Sequence, residues 1–99
     1  MTVCEEMRKL RAYLDKNSIE WHDDSEDIRQ GMWICRTHFE YKDNEWSVIN
    51  GAGTYGGFYH NEKYNAKLLE LMASCVNGGE PVGYLKAEDV IKYMEGVTE

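Results

Sequence analysis

The sequence has little proline, little cysteine, no long apolar run and no excess of basic residues, and each shortage excludes something. Pro81 is the only proline among 99 residues, so proline-rich linkers and polyproline recognition segments are absent. The three cysteines, Cys4, Cys35 and Cys75, are odd in number and form no CxxC pair. They read as reduced thiols rather than a disulfide framework or a zinc site. The longest apolar run is a handful of residues, far short of a membrane span. Met1 is followed by Thr2-Val3-Cys4-Glu5-Glu6, without the basic start and apolar core of a secretory leader. The expected location is therefore the cytoplasm. Eleven basic residues face eighteen acidic ones, for a net charge of −7. That balance supplies no basic face for phosphate contacts and argues against direct binding of nucleic acid.

What is present describes one ordinary globular domain, 42% hydrophobic and 29% charged, with no repeat or low-complexity segment. Seven tyrosines and three tryptophans against two phenylalanines give many rings with polar tips, which suit a binding surface. Net negative charge concentrates in residues 21–30 and 71–99, −3 in each, whereas the first twenty residues are neutral. An acidic surface favours basic partners, including proteins that themselves handle nucleic acid.

Val3, Met7, Leu10 and Leu14 form one apolar stripe at helical spacing, with Thr2 and Glu5 at capping-box distance and an exit at Lys16-Asn17. Ile19 and Trp21 alternate as in a short strand. The acids that follow, Asp23, Asp24, Glu26 and Asp27, predict a solvated loop or a helix start. Residues 32–50 predict a β-hairpin, with Trp33, Cys35, Thr37, Phe39, Tyr41, Trp46 and Val48 on one face. A turn at Asp43-Asn44 would set Tyr41 opposite Trp46 and Phe39 opposite Val48. The other face carries Ile34, Arg36, His38, Glu40, Ser47 and Ile49, a mixed surface. Tyr64, Leu68, Leu71, Met72 and Cys75 predict a second helix ending at Asn77-Gly78-Gly79. A short extended connector follows at 80–85. A final helix over about 87–95 would bury Val90, Ile91 and Met94. The expected fold class is α+β, a small antiparallel sheet around the 32–50 hairpin packed with one N-terminal and two C-terminal helices.

Gly51-Ala52-Gly53-Thr54-Tyr55-Gly56-Gly57 contains a literal GxGxxG after a predicted strand. In a dinucleotide fold such glycines let the backbone approach a pyrophosphate at a helix start. Here the strand belongs to an antiparallel hairpin, no helix begins at the third glycine, and no GK[ST] is present. A glycine-rich turn is the plainer reading. Small-ligand binding of a nucleotide-like molecule through Gly51, Gly53, Thr54, Tyr55, Gly56 and Gly57 is the alternative. His22, His38 and His60 have unrelated spacings and make no HxxxH metal motif. Nucleophile pairs such as Cys35–His38 or Cys75–His60 lack a third group to orient them. The acids at 23–27 lack the spacing of a calcium loop. These absences point to a non-catalytic protein without cofactor or metal.

Three segments, Trp46 to Gly57, Leu68 to Met72 and Glu80 to Ile91, resemble short uncharacterised proteins of phages and mobile elements in Gram-positive gut bacteria. The resemblance covers about the last half of the chain and, loosely, Leu14 to Asp24. It implies a setting rather than an activity. Small acidic phage proteins without enzyme motifs are often inhibitors of host defence, and anti-CRISPR proteins share this size and charge. The expectation is a non-catalytic acidic interaction protein that blocks a basic, nucleic-acid-handling host protein by partial nucleic-acid mimicry. Asp23, Asp24, Glu26 and Asp27 would steer the partner, and Tyr55, Phe58 and Tyr59 would anchor it. A structural or regulatory homodimer formed through the outer hairpin face is a third reading.

Overall fold

The computed structural model describes residues 3–29, 32–51 and 68–97. The first helix, α1 (Glu5–Lys16), buries Met7, Leu10 and Leu14, the stripe expected from the spacing. Its N-cap is Cys4, without a side-chain cap bond, so the helix does not start from a Thr2 capping box; Thr2 lies outside the described residues. Asn17 closes the other end, its Nδ2 donating to the Tyr13 carbonyl at 2.8 Å.

Six strands then build one antiparallel sheet: β1 (Trp21–Asp23), β2 (Glu26–Arg29), β3 (Met32–Tyr41), β4 (Asn44–Gly51), β5 (Leu69–Ala73) and β6 (Val82–Leu85). The spatial order is β1-β3-β4-β5-β6, and β2 pairs with β3 on the same edge as β1. The acid segment is therefore not a loop or a helix start. Glu26 and Asp27 are strand residues, opposite Ile34 and Trp33. Between β1 and β2 the Asp24 N–H donates to the Arg36 carbonyl at 3.1 Å, and the Arg36 N–H donates to the Ser25 hydroxyl at 3.0 Å.

The 32–50 hairpin forms with a different turn. Lys42 and Asp43 occupy it, at φ +49° and +62°, the paired left-handed geometry of a type I′ connection. Tyr41 then faces Asn44, Phe39 faces Trp46 and Thr37 faces Val48. The turn moves back by one residue and each β3 residue's partner by two, so the partners change while every side chain keeps its expected face. Asn44 is the first strand residue, its Nδ2 donating to the Lys42 carbonyl at 2.9 Å.

The expected second helix does not exist over 69–73, which is β5. Leu69, Leu71 and Ala73 alternate and are buried, with Val48 opposite Leu71. The free side of β4 needs a partner strand, and that pairing overrides the helical preference of Leu, Glu, Met and Ala. Asn77–Gly79 is a single 3-10 turn in place of a helix cap, with Asn77, Gly78 and Gly79 all at positive φ. The extended connector becomes β6. The described residues thus hold two α-helices, not three.

The last helix, α2 (Ala87–Glu95), has the expected bounds; Val90 and Met94 are buried and Ile91 is half-buried. Two carboxylates hold its first turn. Asp89 accepts the Lys86 N–H at 2.9 Å, and Glu6 of α1 accepts the Ala87 N–H at 2.8 Å, both favourable at a helix N-terminus. Both helices pack on one face of the sheet, over Cys35, Phe39, Trp46, Val48, Leu69 and Leu71. Trp46 is fully buried and stacks on Phe39 with ring centres 6.0 Å apart.

Candidate interaction face

Alternation leaves every second strand residue on the face away from the helices. β3 presents Ile34, Arg36, His38 and Glu40, β4 presents Glu45, Ser47 and Ile49, and β5 presents Glu70 and Met72. These residues are half-exposed or exposed, and the mixed surface expected for the outer hairpin is found. The register arranges them in rows. His22, His38, Ser47 and Met72 form one row across four strands. Arg36, Ile49 and Glu70 form the next.

Beyond the histidine row, Glu40 stands directly opposite Glu45, and both are exposed. Like charges in direct register cost stability, so this pairing is not one that folding would select. Asp24 lies on the other side of the same row. Its Oδ2 is 3.8 Å from His38 Nδ1, while Glu45 Oε2 is 3.9 Å from His38 Nε2. The rings of His22 and His38 have centres 6.5 Å apart. Met72, 47% exposed, adds an apolar end to the row.

The acids singled out in the sequence divide between two tasks. Asp23 faces the helix side, where Arg11 Nη2 approaches it at 3.4 Å. Its Oδ1 also accepts the Ser25 N–H at 3.0 Å and the Ser25 hydroxyl. The Ser25 donors, and then the Arg11 charge, hold the Asp23 carboxyl below the usual aspartate range. Asp24 is exposed near the outer face. Tyr55, Phe58 and Tyr59, and the alternative ligand set Gly53, Thr54, Gly56 and Gly57, lie outside the described residues. Gly51 ends β4 opposite Ile34, whose other neighbour is Glu26. The backbone therefore sets the start of the glycine-rich segment and the acid segment two strand spacings apart, about 10 Å.

No protein-family model, curated protein or solved structure matches this chain. The arrangement itself has to be read for chemistry. Cys35 is buried on the inner face, where it accepts a hydrogen bond from Arg11 Nη2 at 3.6 Å. His38 points to the other side of the same strand, so the two cannot act as a nucleophile pair. Burial pushes the Cys4 thiol up, away from reactive thiolate character. Among the described residues no three His, Cys, Asp or Glu side chains are grouped to hold a metal ion, and no helix is long and apolar enough to cross a membrane.

Alternation in the hairpin places Glu40 on the outer face from sequence alone; Glu45 joins it there, and the expected turn at Asp43-Asn44 does not set the two opposite each other. Only the register shows that carboxylates from β3 and β4 adjoin Asp24 around one histidine.

Proposed function

We propose that the chain is a non-catalytic interaction protein that uses the outer sheet face to bind a basic, nucleic-acid-handling protein and so block it. The observation that carries this reading is the opposition of Glu40 and Glu45 beside the Asp24–His38–Glu45 group. A folding cost retained on an exposed face is explained when lysine or arginine side chains of a partner enter between the carboxylates. Met72 at the end of the row supplies an adaptable apolar contact inside the charged rim. Carboxylates spaced across a sheet can occupy the sites where a basic protein would otherwise hold phosphates, the physical content of nucleic-acid mimicry. A phage or mobile-element origin, with a host defence nuclease as target, is the setting proposed for this chemistry.

The test is comparative capture from a bacterial host lysate at low and at high salt, using the wild-type protein and a Glu40→Lys/Glu45→Lys variant shown to be folded. Basic nucleic-acid-binding proteins retained by the wild type at low salt, shed at high salt and ignored by the variant are the expected result. Retention of the same proteins by the variant would remove the outer face from the reading.

A further inference from the structure

We propose that His22 and His38 make the acidic face a pH-dependent binding surface, which holds a basic partner while the two imidazoles are neutral and releases it when they are protonated. This inference rests on the acidic-face reading above and adds its regulation.

His38 stands on β3 with strands on both sides of it, and His22 lies beside it on the edge strand β1. His38 is flanked by groups from every neighbouring element. β1 contributes His22, directly opposite; the residue after β1 contributes Asp24; β3 itself contributes Arg36 and Glu40; β4 contributes Glu45, with Ser47 directly opposite. Each ring nitrogen of His38 has a carboxylate oxygen nearby, Asp24 at 3.8 Å from Nδ1 and Glu45 at 3.9 Å from Nε2.

A neutral imidazole carries one N–H and no charge, so it offers a donor to at most one of the two carboxylates and a counter-charge to neither. A protonated one carries N–H donors on both nitrogens and turns the two approaches into ion pairs. Asp24 and Glu45 are then occupied from within the chain. Protonation of His22, one strand away, adds a second positive charge where the partner's lysines would enter. Both changes oppose a basic partner, and histidine is the side chain type whose charge changes between about pH 5 and 8.

Fluorescein-labelled octalysine is a suitable probe, followed by anisotropy at low, fixed ionic strength near about pH 8 and about pH 5.8. The wild-type affinity is expected to fall about five- to tenfold between the two, the loss of two partly exposed ion pairs. A His22→Gln/His38→Gln variant is expected to keep its affinity within about twofold over the same range. An equal fall in that variant, or a pH-indifferent wild type that binds octalysine at pH 8, overturns the switch and leaves the acidic face standing. An Asp24→Asn/Glu45→Gln variant that binds octalysine as well as the wild type at pH 8 overturns the face and the switch together. The wild-type pH series does not depend on any variant folding, and far-UV circular dichroism checks those that are used.

Discussion

Arg11 lies with its guanidinium carbon 4.6 Å from the centre of the Trp21 ring, so that one side chain of α1 holds the edge strand to the sheet. The same group donates through Nε to the Thr37 hydroxyl at 2.7 Å and through Nη2 to the Arg36 carbonyl at 3.3 Å. Its charge sits beside Asp23, and its own side chain is only 12% exposed. Thr37, fully buried, passes the interaction on by donating to Met7 Sδ at 3.0 Å. Helix α1, strand β3 and edge strand β1 are joined at one guanidinium.

Arg11→Met is therefore expected to cost about 2–4 kcal/mol, because it removes the donor to the Thr37 oxygen, the bonds to Cys35 and the Arg36 carbonyl, the Asp23 ion pair and the ring contact. Arg11→Lys should recover less than half of that, since an ammonium cannot keep the fork and the stacking together. Urea unfolding followed by tryptophan fluorescence measures both. A lysine variant as stable as the wild type would mean that the charge alone matters.

Asp23 makes acid stability dependent on one exposed carboxylate. Its pKa is lowered in the folded chain by the Ser25 hydroxyl and N–H and by Arg11. The stability it contributes is present above the unfolded-state value of about 3.9 and is lost as pH falls through the lower folded value. The gap in unfolding midpoint between wild type and Asp23→Asn should be constant from neutral pH down to about pH 5 and close below about pH 4. A gap unchanged at about pH 2.5 would show that the carboxylate's charge is not what counts.

The hairpin turn is strained. Lys42 and Asp43 both adopt left-handed backbone angles, which glycine takes at no steric cost. Asp43→Gly is expected to stabilise the fold by about 0.5–1 kcal/mol, or roughly 2–8 °C in melting temperature. Lys42 is the poorer position to change, because its ammonium donates to the Val97 carbonyl at 2.9 Å. Calorimetry of the two single glycine variants distinguishes the turn's cost from that lost contact.

Glu40→Lys separates folding from binding on the outer face. Replacing a like-charged pair opposite Glu45 by an opposite-charged one should raise the melting temperature by about a degree or two. The same change should weaken octalysine binding several-fold. A variant that loses stability instead would mean that Glu40 contributes to the fold, and the argument from a retained cost would fail.

Several parts of this architecture were legible from residue order. The stripe Met7, Leu10 and Leu14, the bounds of α2 and the two faces of the hairpin follow from periodicity, because burial on one side imposes a period on the chain. The turn was misread since Asn44 is a better left-handed residue than Lys42, yet Phe39 and Trp46 pair by stacking and set the register. Residues 69–73 were misread because Leu68, Leu71, Met72 and Cys75 fit a helix while Leu69, Leu71 and Ala73 fit a strand. Only a partner distant in sequence, β4, decides between them. The candidate face shows the same limit. Asp24, His38 and Glu45 come from three separate stretches, and no spacing rule links them.

The hydrogen bond from Ala87 to Glu6 spans 81 positions and has a consequence for synthesis. A ribosome delivers α1 first and α2 near the end of this sequence. During elongation the apolar side of α1 can meet the sheet, but its contacts with α2 must wait until that helix has left the exit tunnel. The closing of these two helices thus waits on α2, and a nascent chain stalled before Ala87 would lack the Val90 and Met94 side of the core that Met7, Leu10 and Leu14 share.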